Sequence, residues 1–213
     1  MSLPEPALLL VTDRGQTRRP LVEIVDRACA AGCRWISLRE KDLAADEQLA
    51  LARELLAVVR RHGARLTLHG DPRLARAAGI DGVHLAAGGD PAAARAALGA
   101  AALIGLSVHG ATDLAPASAA DYVVAGPAFA SASKPGYGPP LGAAGLGAIA
   151  RASLRPVVAI GGVTPLNARS LIDAGATGVA VMGSVMRAAD PTGEVRALLE
   201  ALRCRGGRAD HRS

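Results

Sequence analysis

Aromatic side chains are almost missing: one Trp, two Tyr and one Phe in 213 residues. Modules that stack nucleobases need aromatic platforms, so this scarcity argues against a nucleic-acid partner. Cysteine is nearly as rare, and Cys29, Cys33 and Cys204 are too few and too irregularly spaced for a disulfide framework. Cys29 and Cys33 stand four apart on one helical face, and no Cys/His pair completes a zinc site around them. No apolar run approaches the ~18 residues of a membrane span, and no charged and apolar leader opens the sequence. A soluble, cytoplasmic protein with no membrane partner is expected, and self-association into a homo-oligomer is compatible with the chain. The remaining charge excess, +5, is concentrated at the end, where Arg203, Arg205, Arg208 and Arg212 sit in a Gly-rich stretch. Residues 204–213 are therefore read as a basic, flexible tail after a single domain spanning 1–203.

What the chain has in quantity is small apolar residues in short blocks. Half the residues are hydrophobic, and Ala, Leu and Val supply most of them. Eight apolar runs read as strands buried on both faces: 7–12, 35–39, 65–68, 82–85, 103–107, 122–125, 157–160 and 178–182. Amphipathic stretches separate them, at 21–31, 46–62, 71–78, 91–98, 111–119, 144–152, 165–174 and 192–203. Asp71-Pro72, Asp90-Pro91 and Thr164-Pro165 read as polar caps followed by Pro in the first turn, and Ala-Gly pairs end several helices. Eight strand–helix units in a chain of this length close most simply into a (β/α)₈ (TIM) barrel, an α/β fold of one domain; a doubly wound open sheet is the alternative.

In such a barrel the strand ends converge on the active site. The last two strands end in Ile160-Gly161-Gly162 and Met182-Gly183-Ser184. Glycines there allow main-chain N–H groups to approach an anion, which makes Gly161, Gly162, Gly183 and Ser184 the candidate phosphate site. Arg39 and Lys41 alternate along an extended segment, so both can face inward while Glu40 faces away, forming a clamp for a carboxylate or phosphate. His109 is the candidate for proton transfer, with His69 and Ser107 beside it, and His84 reads as structural. The irregular connection 126–142, with Ser131, Ser133 and Lys134 at its centre, reads as a loop closing over a ligand. Carboxylates suited to Mg²⁺ are missing from the mouth: His69-Gly70 follows the third strand and Ala86-Ala87-Gly88-Gly89 the fourth, while Asp71 and Asp90 read as helix caps.

The motifs Leu10-Val11-Thr12-Asp13, Leu38-Arg39-Glu40-Lys41, Gly82-Val83-His84-Leu85, Ser107-Val108-His109, Ser133-Lys134, Pro139-Pro140-Leu141-Gly142 and Ala159-Ile160-Gly161-Gly162 occur in one order along the chain. Together they resemble the thiamine phosphate synthase/TenI family from Leu8 to Ala189. The resemblance implies a TIM barrel acting on a thiazole phosphate, with one of two activities. The synthase joins a pyrimidine diphosphate to the thiazole phosphate, losing diphosphate with Mg²⁺; the TenI-type tautomerase moves a proton without a metal to aromatise a carboxylated thiazole phosphate. The synthase pattern carries Gln where this chain has Ser37, Asn-Asp at His69-Gly70, Gly-Gln-Asp-Asp at Ala86–Gly89, and Thr-Pro-Thr-Lys at Ser131–Lys134. On the missing metal ligands, the expectation is a cofactor-free thiazole tautomerase, an isomerase with His109 as its catalytic residue. The alternatives are the Mg²⁺-dependent synthase and a non-catalytic sensor of thiamine intermediates.

Overall fold

The computed structural model describes residues 2–130 and 139–203. Eight parallel strands form a closed barrel in sequence order: β1 (Leu8–Val11), β2 (Trp35–Leu38), β3 (Arg65–His69), β4 (Gly82–Leu85), β5 (Leu103–Val108), β6 (Tyr122–Ala125), β7 (Val157–Ile160) and β8 (Gly178–Val181). β8 pairs with β1, with Leu8 opposite Val179, so no strand edge remains open. The helices α1 (Leu21–Ala30), α2 (Ala45–Arg61), α3 (Pro72–Ala78), α4 (Pro91–Leu98), α5 (Gly142–Ala152), α6 (Ala168–Asp173), α7 (Gly183–Met186) and α8 (Pro191–Arg203) follow their strands in turn. This is the expected (β/α)₈ barrel. The expected tail, 204–213, lies outside the described residues.

Strand alternation divides the core in two. Leu8 and Leu10 point outward to the helices with Ile24, Val25, Ile36 and Leu55, whereas Leu9, Val11, Trp35, Leu103, Tyr122, Val124, Val158 and Ala180 fill the barrel interior. The few aromatics have a specific use there. Trp35 and Tyr122 meet edge to face with centroids 4.7 Å apart, a geometry worth about 0.5–1.5 kcal/mol beyond the area it buries. Tyr122 lies where a side chain of Gly105 would be: a Cβ at residue 105 would stand 2.1 Å from the Tyr122 ring. At the strand-entry end, Asp81 and Asp121 accept from the main-chain N–H groups of Leu66 and Ile104, each at 2.8 Å, and tie neighbouring strands in register.

Asp71 and Asp90 do cap α3 and α4, accepting from Arg73 and from Ala92 and Ala93. Two expectations need correction. Residues 111–119 form a 3₁₀ segment rather than an α-helix, because Pro116 cannot donate the hydrogen bond an α-turn requires. Thr164 does not open the sixth helix; it starts at Ala168, and the side chain of Asn167 accepts from Thr164 N–H while donating to Gly162 O. The short helix α7 and the 3₁₀ turn Arg14–Gln16 are too brief to produce a periodic signal in sequence.

Candidate functional site

The strand ends open into a cavity of about 810 Å³, lined from every strand of the barrel. Its floor is apolar, from Leu9, Val124, Ile160 and Ala180, and its polar groups lie on two opposed walls.

One wall follows β7 and β8. Gly161 and Gly162 both take positive φ, 101° and 63°. The loop after β6 is fastened to them, with Ala128 N–H donating to Ile160 O at 2.7 Å and Phe129 N–H to Gly161 O at 3.0 Å. A Cβ on Gly162 would stand 2.5 Å from Ala130 O and 2.7 Å from Phe129 Cβ, so only glycine lets the two loops meet. Across from this turn, Gly183 and Ser184 begin α7, and both line the cavity. The Ser184 hydroxyl is buried and has no partner among the described residues. Arg187, one turn further on, lines the same wall and donates to Gln16 Oε1, which belongs to the turn after β1; Gln16 in turn donates to Asp13 at 2.6 Å. Neither Arg187 nor its brace was anticipated from the sequence.

The other wall follows β2 to β5. Arg39 and Lys41 both line the cavity. Glu40 turns away and is buried, its carboxylate accepting from Arg14 N–H at 3.0 and 3.1 Å. Burial raises the Glu40 pKa, with the Arg14 N–H bond opposing. His69 and His84 lie beside each other with ring centroids 5.1 Å apart, and His84 Nε2 is 2.8 Å from Ser107 Oγ. Burial, with a smaller contribution from His69, pushes the His84 pKa down to about 3, so the ring is neutral. His84 therefore forms part of the wall, although its mid-strand position read as structural. His109 holds its ring through Nδ1, 2.8 Å from Gly126 O. A carbonyl only accepts, so the ring donates from Nδ1. Ser37 is buried against the cavity with its hydroxyl unpartnered among the described residues. Ser131, Ser133 and Lys134 lie outside the described residues.

The described residues do not form a Mg²⁺ site. No Asp or Glu among them lines the cavity. Asp13, Asp71, Asp90 and Asp113 each accept main-chain N–H bonds at turns or helix starts. No group of three or more His, Cys, Asp or Glu able to hold a metal occurs among the described residues. Cys29 and Cys33 are buried core residues, and burial pushes their thiols up to about 12 and about 11. No helix among the described residues is long and apolar enough to cross a membrane.

Comparison with known proteins adds names to this geometry. The family described as thiamine monophosphate synthase (TMP-TENI) matches residues 8–185. A Geobacter sulfurreducens protein, 43% identical over 92% of this chain and 94% of its own, carries the name thiamine-phosphate synthase provisionally. The thiamine-phosphate synthase of Roseiflexus castenholzii is 40% identical over 90% of this chain and 86% of its own. A solved thiamine phosphate pyrophosphorylase from Pyrococcus furiosus superposes with a TM-score of 0.82 at 29% identity, covering 92% of this chain and 94% of that one. These relatives overturn the expectation of a thiazole tautomerase and of an isomerase: proteins alike over nearly their whole length are named for the transferase reaction. The missing carboxylates spoke only to one way of neutralising a diphosphate, not to which reaction the barrel performs.

Proposed function

Because the chain belongs to the thiamine monophosphate synthase/TenI family, we propose that it is a thiamine-phosphate synthase, joining a hydroxymethylpyrimidine diphosphate to a thiazole phosphate. The observation carrying this reading is the cavity itself, which has glycine turns on one wall and Arg39 and Lys41 on the other across an apolar floor. A tautomerase handles one phosphorylated ring; two opposed walls suit two phosphorylated substrates brought together.

The thiazole phosphate docks its phosphate at Gly161, Gly162, Gly183 and Ser184, where main-chain N–H groups and the unpartnered Ser184 hydroxyl meet phosphate oxygens. The pyrimidine diphosphate lies on the other wall, its diphosphate against Arg39 and Lys41 beside His69, with Ser107 and Ser37 near its ring. The thiazole nitrogen then forms a bond to the pyrimidine methylene carbon as the carbon–oxygen bond to diphosphate breaks, and the electron pair departs with the diphosphate. No proton transfer is needed in that step. His109, its ring anchored at Nδ1 by Gly126 O, takes a positioning role toward the pyrimidine in place of the proton shuttle. Holding both reactants in line supplies much of the rate, since well-oriented intramolecular reactions reach effective molarities of about 10⁵ M and above.

The test is to supply both substrates with Mg²⁺ and measure thiamine phosphate and diphosphate together. Equal amounts of the two products are expected. Folded protein that binds thiazole phosphate yet forms neither product would refute the synthase reading.

A further inference from the structure

The wall after β2 and β3 turns its cations toward the main cavity. Arg39 and Lys41 line it, and no acidic residue does so among the described residues. Lys41 and His69 continue into an adjoining cavity of about 670 Å³ that adds Arg73. Its single carboxylate, Asp71, has one oxygen committed to Arg73 N–H at 2.8 Å as the cap of α3. The connection from Gly126 to Gly142 brings no carboxylate either, since it contains no Asp or Glu, although it contains Lys134. Mg²⁺ is ordinarily held through one or two carboxylates together with substrate phosphates. The two turns that could present such groups end in open space: a Cβ on Gly70 or Gly88 would meet nothing within 4 Å.

We infer that this chain neutralises the departing diphosphate with its own side-chain cations, Arg39 and Lys41 with Arg73 at the outer edge, and takes its diphosphate substrate without a protein-bound divalent ion. The inference rests on the two-substrate reading above and names how one of its substrates is held. When the carbon–oxygen bond breaks, both electrons remain on the diphosphate oxygen. Guanidinium protons can meet two of its oxygens at once and the ammonium a third, so the developing charge is compensated by groups already in place. Because those groups belong to the strand ends, no ion has to be recruited before the substrate binds.

The experiment is calorimetric titration of inorganic diphosphate into the full chain, in EDTA and again with millimolar Mg²⁺. Dissociation constants within about threefold of each other are expected, since charge-assisted contacts from the chain already supply the binding. Arg39→Ala and Lys41→Ala should each weaken binding in EDTA by about tenfold or more, the loss of a charged hydrogen-bond partner. Ala87→Asp, which adds a carboxylate at an exposed residue lining the cavity, should weaken binding in EDTA and recover it with Mg²⁺. Binding seen only with Mg²⁺, or binding in EDTA that neither alanine substitution alters in a folded variant, would overturn the inference. Product formation with Mg²⁺ but no diphosphate binding in EDTA would leave the synthase reading standing and remove this one. Diphosphate binding in EDTA with no product under any condition would remove the synthase reading and leave only a metal-free diphosphate site.

Discussion

After β7 and β8 the cavity is walled by main chain, with glycines at 161, 162 and 183 and one buried hydroxyl at Ser184. Across the mouth, after β2 and β3, it is walled by long cationic side chains and imidazoles. The first wall is rigid because it is main chain held on both sides: the turn at Gly161-Gly162 is pressed against the loop after β6 and hydrogen-bonded to it. The second is adjustable, since Arg39 and Lys41 reach their positions through rotatable bonds. A rigid wall of N–H groups suits a monoester phosphate that stays in place through the reaction. A wall of mobile cations suits a diphosphate that must be held, charged further and then released.

The largest effect expected from testing that contrast comes from the rigid wall. Gly162→Ala places a Cβ 2.5 Å from Ala130 O at a φ of 63°. Overpacking and a left-handed alanine should together cost about 2–4 kcal/mol of stability. Displacing the turn should also raise KM for thiazole phosphate on the order of 100-fold, the usual penalty for an ångström of misplacement. Thermal unfolding and initial rates check both. A variant with unchanged Tm and unchanged KM would mean that the anion is not held by this turn.

The rigid wall was also the one legible in sequence. Apolar runs ending in glycine report a buried strand and a close backbone approach in the same few letters, so Gly161, Gly162 and Gly183 stood out, as did the eight strands. Side-chain recognition is less readable. His84 reads as structural because it lies mid-strand, and it is buried, yet β4 has only four residues and its third also lines the mouth. Arg187 lies in no motif; its place depends on α7, a helix of four residues whose length leaves no periodicity. The acidic turns that are absent after β3 and β4 misdirected the choice between two reactions, because absence of a ligand set does not say what replaces it. Arg39 and Lys41 were in view, but their sufficiency could be weighed only once the cavity lining was known.

A smaller effect probes the base of the cationic wall. Burial holds the His84 pKa at about 3, against 6.5 for the free side chain. Below pH 6.5 the unfolded chain binds a proton there that the folded chain refuses. This contribution therefore favours the fold above pH 6.5 and is lost progressively as pH falls toward 3. The slope is about 1.4 kcal/mol per pH unit for one such group, or about 2–3 kcal/mol by pH 4.5. His84→Gln, which keeps a hydrogen-bonding partner for Ser107, should flatten this limb without altering the wild-type trend above pH 7. Denaturant midpoints measured from pH 7 to 4.5 decide it. Parallel curves for the two proteins would show that His84 is protonated in the fold, and the wall would then carry one more cation than the geometry assigns it.

The smallest expected effect asks whether the two walls are as separate as they look. Arg187 is a side-chain cation on the main-chain wall, steadied by Gln16, whose amide is itself held by Asp13. That brace spans the exits of β8 and β1, so it positions the guanidinium without using any group of the cationic wall. Arg187 is exposed, and solvent screening limits what one charge can contribute. Arg187→Ala should therefore raise KM for thiazole phosphate by only about three- to tenfold, the worth of one screened charge-assisted contact. KM for the pyrimidine diphosphate should not change, and Gln16→Ala should move KM for thiazole phosphate in the same direction by less, since it loosens the cation without removing it. Added salt should shrink the difference between wild type and Arg187→Ala, as expected for an exposed charge. If instead both KM values rise together, Arg187 serves the field of the whole mouth, and the division into a fixed phosphate wall and a mobile diphosphate wall does not hold at this residue.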